Sequence, residues 1–124
     1  VAMRPGKPLM AGRMEQTAMV GLPGNPVSAM VCGHIFLEPM VRTMLGEKSI
    51  QPRRLEAPLA APLAQNGPRE HYMRAELQDD GQIRAFDRQD SSLLSVLAKA
   101  NALLIRPPHD PARDANETVS YIRI

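Results

Sequence analysis

Residues 21–28 read Gly21-Leu22-Pro23-Gly24-Asn25-Pro26-Val27-Ser28, and this octet decides the fold. The apolar stretch Ala18-Met19-Val20 runs into it as a buried strand would, and an apolar-periodic run from Val27 to Leu45 leaves it. Gly21 and Gly24 can adopt positive φ or admit a close neighbour. Pro23 and Pro26 fix φ and restrict Leu22 and Asn25 before them. Asn25 suits an N-cap, Pro26 the first helical position, and Ser28 falls in the first turn. The product is a rigid strand–loop–helix corner whose free N–H groups and helix dipole converge where an anion would be held. Many such corners bind nothing, so a second feature has to point the same way.

Arg4-Pro5-Gly6-Lys7-Pro8 is that feature. Pro5 and Pro8 prevent the segment from continuing as a helix or a central strand. Two cations on a stiff loop lose little freedom when they clamp an oxyanion. Taken alone, the segment reads equally as a solvated basic turn.

Working outward, residues 1–3 read as the end of a strand, 4–17 as a loop or hairpin, and 18–22 as a strand. Residues 26–45 read as a helix with apolar positions at Val27, Met30, Val31, Leu37, Val41, Met44 and Leu45. Pro39 should kink it or split off its last turns, and Gly46 should stop it. A helix joined to a strand by this corner implies an α/β layer. The character changes near Ser49, and a boundary falls at 47–52. Pro52, Pro58, Pro62 and Pro68 punctuate short apolar segments, as in edge strands and bends. Tyr72 to Leu77 alternates roughly with period two, Asp79-Asp80-Gly81 makes a hairpin turn, and Gln82 to Phe86 returns. Ser91 to Lys99 suits a short helix, Ala102 to Ile105 a strand, His109 to Thr118 a polar loop, and Val119 to Ile124 a last strand. Several short strands with one small helix predict a compact β-barrel-like unit.

Composition narrows the function. Hydrophobic residues make up 44% and aromatics 3%, so the core is aliphatic, with eight Met as adaptable filler. A net charge of +2 argues against nucleic acid as a partner. No apolar run is long enough to cross a bilayer, so no membrane role is expected. A single cysteine, Cys32, suits a reducing cytoplasm. The basic excess lies within residues 1–48, which favours a small anion over a polyanion.

Other chemistry finds little support. Cys32 and His34 are two apart on a helix and face different ways, and His71 and His109 lie far apart, so no metal-ligand spacing exists. Asp79, Asp80, Asp87 and Asp90 read as solvated turn residues. Ser28, Ser91, Ser92 and Ser95 have no His base nearby in sequence. Arg69 and Arg74 are five apart on a strand and face opposite sides, so at most one of them enters a given groove.

The segment Val1-Ala2-Met3-Arg4-Pro5-Gly6-Lys7-Pro8, followed after a short spacer by the octet, resembles the molybdopterin molybdenumtransferase (MoeA) family, whose animal relative is the E domain of gephyrin. Weaker matches are Arg69-Glu70-His71-Tyr72-Met73-Arg74, Gln89-Asp90-Ser91-Ser92-Leu93-Leu94-Ser95 and Ala100-Asn101-Ala102. The resemblance covers nearly the whole chain, but only the C-terminal end of the family's longer protein. It implies that residues 1–48 are an α/β remnant (strand, loop and long helix) closing a MogA-like molybdopterin-binding domain. It implies that 49–124 form a small β-barrel-like domain similar to domain IV of the family.

The activity implied is insertion of molybdate into adenylylated molybdopterin with release of AMP, assisted by Mg2+ whose ligands would lie upstream of Val1. The active site would sit at a homodimer interface. Arg4 and Lys7 would clamp molybdate or phosphate. Pro23, Gly24, Asn25, Pro26 and Ser28 would present N–H groups and a hydroxyl. Arg69 or Arg74, with Ser91 and Ser92, would approach from the partner subunit. Three positions depart from the family's habit: Arg4 stands where Lys is usual, Ala11 where an aromatic is common, and Gly33 lies in mid-helix. With the Mg2+ ligands absent, residues 1–124 alone are expected to have no turnover. The alternative is a non-catalytic dimerisation or scaffold module of the gephyrin E-domain type, which should expose an apolar groove.

Overall fold

The computed structural model describes residues 3–4, 10–22, 26–48, 52–86 and 99–124, with backbone only at 26 and 27. The central element is a mixed six-stranded sheet of order β1-β5-β7-β8-β4, with β6 paired to β5. Its strands are β1 (Met3–Arg4), β4 (Leu55–Pro58), β5 (Glu70–Leu77), β6 (Ile83–Ala85), β7 (Ala102–Arg106) and β8 (Thr118–Arg123). Strands β5, β7, β8 and β4 run antiparallel in turn, and β1 adds parallel to β5. Separately, β2 (Met10–Met14) and β3 (Thr17–Gly21) form a two-stranded hairpin.

Alternation along β7 explains the two cores. All five β7 residues are buried, which needs cover on both faces. Ala102 and Leu104 join Ala57, Leu59, Ala75, Ile83, Val119 and Tyr121 on one face. Leu103 and Ile105 join Met3, Val31, Cys32, Tyr72 and Ile122 on the other. The second face is covered by α1 (Pro26–Cys32) and the turn after it, through Val31, Cys32, Ile35 and Phe36.

The hairpin after β5 follows its sequence. Gly81 takes φ +88°, Asp80 caps Gln82 N–H at 2.9 Å, and β6 returns against β5. The helix also ends where Gly46 predicts. Gly46, at φ +83°, donates to Thr43 O and Glu47 donates to Arg42 O, both at 3.0 Å, a Schellman closure. The helix is divided just before Pro39, as the sequence predicts, and does not end there. A π-helical turn, Gly33–Leu37, widens the coil before it, and Glu38 N–H reaches back to Gly33 O. Pro39 then lies at the start of α2 (Glu38–Met44), where a missing N–H costs little.

One expectation is met in part and two are corrected. The barrel-like unit is met in part: the sheet is mixed, and the segment after β4 is linked to β6 by a parallel bridge, Leu59 to Ile83, and by Ala60 N–H donating to Ile83 O at 2.8 Å, but full closure into a barrel is not shown. Residues Ala18, Met19 and Val20 do not form a buried strand, since among the described residues β3 pairs only with β2 and Met19 is 48% exposed. Along the helix, Val31 is buried, but Val41, Met44 and Leu45 are exposed. The π turn rotates the phase of the helix, and the sheet contact passes to Ile35 and Phe36. The expected helix at 91–99 falls outside the described residues except Lys99. No helix among the described residues is long and apolar enough to cross a membrane.

Candidate functional site

The parallel pairing of β1 with β5 builds the site. Met3 lies opposite Glu70, and Arg4 opposite His71. On the far side of β5, His71 lies opposite Arg106 of β7. Residues paired across adjacent strands share a face, so Arg4, His71 and Arg106 form one row across three strands. Arg69, where the chain turns into β5, directs Nη1 toward Met3 O at 3.5 Å. Arg4 and Arg69, sixty-five positions apart in sequence, therefore meet at one sheet edge.

The edge is held by a buried network behind it. Asn66 Nδ2 donates to Arg69 O at 3.0 Å and to Pro107 O at 2.7 Å, tying the turn that carries Arg69 to the end of β7. Arg106, only 3% exposed, donates through Nε to Asp110 Oδ2 at 2.7 Å. Its Nη2 reaches Ala64 O at 2.9 Å and Pro111 O at 3.0 Å. The other oxygen of Asp110 accepts from Arg113 Nη2 at 2.5 Å. Arg113 first, and Arg106 after it, hold the Asp110 carboxyl below its usual range against the opposing effect of burial. The Arg106 charge is thereby compensated inside the sheet.

His71 records the remaining field. Its imidazole is pushed down to about 4, by burial first and then by Arg4, Arg106, Arg74 and Arg69. At neutral pH it is an uncharged ring among guanidinium groups. Such an edge attracts oxyanions and repels metal cations. Among the described residues no group of three or more His, Cys, Asp or Glu side chains is arranged to hold a metal ion.

The expected site residues divide as follows. Arg4 and Arg69 come together, and within one chain. Arg74 is 3% exposed and in register with Leu103, on the helix-covered face opposite His71. Ser28 is buried in the first turn of α1, one turn before Val31, which shares its core cluster with Met3. Pro26 opens α1. Lys7, Pro23, Gly24, Asn25, Ser91 and Ser92 lie outside the described residues. His71, Arg106, Asp110 and Asn66 were not singled out from sequence. The alternation Arg69-x-His71 was the available signal for His71. Nothing local marks Arg106, whose role depends on a register across strands.

The profile of the MoeA C-terminal region (domain IV) matches residues 56–124. Molybdopterin molybdenumtransferase 2 of Mycobacterium tuberculosis is 37% identical over 108 residues, covering 86% of this chain and 27% of that protein. Molybdopterin molybdenumtransferase of Haemophilus influenzae is 30% identical over 125 residues, covering 97% of this chain and 31% of that protein. The chain thus spans about a third or less of these relatives. Among solved structures, the molybdopterin biosynthesis MoeA protein of Pyrococcus horikoshii superposes with a TM-score of 0.82 at 20% identity, over 98% of this chain and 30% of that one. At that identity the likeness speaks for the fold.

Proposed function

The chain belongs to the MoeA family through its C-terminal region, and on that premise we propose that it supplies part of the oxyanion site of a molybdopterin molybdenumtransferase. The relatives from Mycobacterium tuberculosis and Haemophilus influenzae carry that name. The reaction proposed for the whole protein is insertion of molybdate into adenylylated molybdopterin, with release of AMP. The observation that carries the reading is the pairing of Arg4 with His71 beside Arg69, which gathers cations at one sheet edge. A dianion held there has its charge offset as oxygen leaves molybdenum and sulfur takes its place. Lys7 and the 23–28 corner complete the proposed clamp, and Ser91 and Ser92 belong to the proposed substrate contacts.

Two further elements extend the proposal beyond this chain. Mg2+ is the assisting ion of the proposed reaction, and the contribution proposed for this chain is electrostatic. A homodimer of the full protein, in the cytoplasm, is the proposed working form. Residues 1–124 by themselves should give no turnover.

The test is protection from thermal unfolding by molybdate or tungstate. At a hundredfold excess over Kd, binding should add about 2.7 kcal/mol of stability. Arg69→Ala and Lys7→Ala should each abolish most of it. Protection that ignores both substitutions would discard the site.

One observation favours the scaffold reading instead. Leu37, Val41 and Leu45 line an open groove along the helix with His34 and Arg42, and Met44 beside it is 73% exposed. Self-association that Val41→Asp abolishes, without any molybdate protection, would choose that reading.

A further inference from the structure

The row Arg4–His71–Arg106 poses a problem that an anion would solve. Cross-strand neighbours in register hold their Cβ atoms about 4.5–5.5 Å apart, and like charges placed so are destabilising. A charged imidazole at the centre of this row would stand between two guanidinium groups. Among the described residues the charged groups acting on it are all cations: Arg4 from β1, Arg69 and Arg74 from the β5 segment, and Arg106 from β7. Two carboxylates of the neighbouring segments are already committed. Asp110 is divided between Arg106 and Arg113. Glu70, one position along on the opposite face, pairs with Arg54 at 3.5 Å. Burial first, and these cations after it, keep His71 neutral at an empty edge, whereas a dianion between Arg4 and Arg69 reverses the sign of the local field.

We propose that His71 is a proton-coupled positioning residue of this oxyanion site, neutral when the site is empty and taking one proton from solvent as a tetrahedral dianion settles between Arg4 and Arg69. The inference rests on the anion site proposed above. No bond is made or broken in the protein: the proton comes from buffer, and the anion enters as the free dianion. His71 then contributes an N–H donor that exists only when the site is filled. Affinity and proton uptake are linked, so binding tightens as pH falls toward the titration of the empty site.

Sulfate is the appropriate probe, since it remains a dianion through the mildly acidic range. Titration calorimetry in two buffers of different ionisation enthalpy gives both affinity and protons taken up. The free imidazole titrates at about 4. A dianion that offsets the whole depression, burial included, returns the imidazole to its ordinary 6.5 and sets the upper limit: affinity rises by up to about thirtyfold from about pH 8 to about pH 5, with up to about one proton taken up at the lower pH. His71→Gln should bind with no proton uptake and a flat pH profile, while His34→Gln, out on the helix, should keep both. The His71 imidazole resonances, followed by NMR, should titrate well below 6.5 without sulfate and move up when it is added. Flat wild-type affinity, or uptake that survives His71→Gln, would overturn the role of His71 while leaving the anion site in place. No sulfate binding, or binding indifferent to Arg69→Ala, would overturn the anion site and this inference with it.

Discussion

Replacing Asp110 by Ala should be among the most damaging single changes in this chain. The Asp110 side chain is 6% exposed and Arg106 is 3% exposed. Without the carboxylate, Arg106 keeps its carbonyl partners Ala64 and Pro111 but loses its only carboxylate partner among the described residues. Breaking a buried pair in this way costs about 3–5 kcal/mol, a large part of the roughly 5–15 kcal/mol that a domain has in total. Asp110→Asn keeps the shape and one acceptor, and should cost about half as much. Arg113→Ala removes only the half-buried partner and should cost less than either. Replacing both buried partners, Arg106→Met with Asp110→Leu, should be milder than the two single losses added together. Urea unfolding followed by circular dichroism reads all of these as shifts in midpoint at constant slope. A loss below about 1 kcal/mol for Asp110→Ala would mean that Arg106 is solvated, and the account of what supports the site would fail.

Further outcomes follow from the same geometry. The His71 imidazole is lower in the folded chain, about 4, than its ordinary 6.5. The unfolded state therefore binds the extra proton first, and stability should fall as pH drops from 6.5 to about 4. Discounted for partial exposure, the loss is about 1–2 kcal/mol. It should shrink in His71→Gln when unfolding is measured across that window. Gly46→Ala should cost about 1 kcal/mol, because φ is +83° there although a Cβ would meet nothing within 4 Å. Leu104 is fully buried between the strands, so Leu104→Ala should lose about 2–5 kcal/mol in the same assay.

Local chemistry made several elements readable. Asp79-Asp80-Gly81 specifies its own turn, and Gly46 specifies a helix end. Asn25-Pro26 marks a helix start, and α1 does begin at Pro26. The alternation in 72–77 gives β5. What escaped the sequence depends on pairings far apart along the chain. The β1–β5 register joins residues more than sixty positions apart, and periodicity carries no trace of it. The π turn answers a conflict between Pro39 and a helix that has to continue, and its effect is to change which apolar residues face the sheet. Val41 and Leu45 fit the helical pattern, yet they are exposed among the described residues. Alternation says which face of a short strand is buried and not whether the edges of the sheet meet, so closure is a matter of pairings such as Leu59 with Ile83.

The site was legible in part. Arg4 and Arg69 belonged to motifs, so they could be named before their meeting was known. His71 looked like an isolated histidine until its strand neighbours proved to be arginines. Asn66, Arg106 and Asp110 lie on a turn, a strand end and a loop, and only the fold shows that together they support the turn that carries Arg69.

The central claim is that one oxyanion sits at the edge where Arg4, His71 and Arg69 meet. Crystals of the chain soaked in tungstate test it most directly, since tungsten can be located by its anomalous scattering. The account predicts a single strong peak within hydrogen-bond reach of the Arg4 and Arg69 guanidinium groups. Tungsten found only elsewhere, with those two side chains extended into solvent, would contradict it.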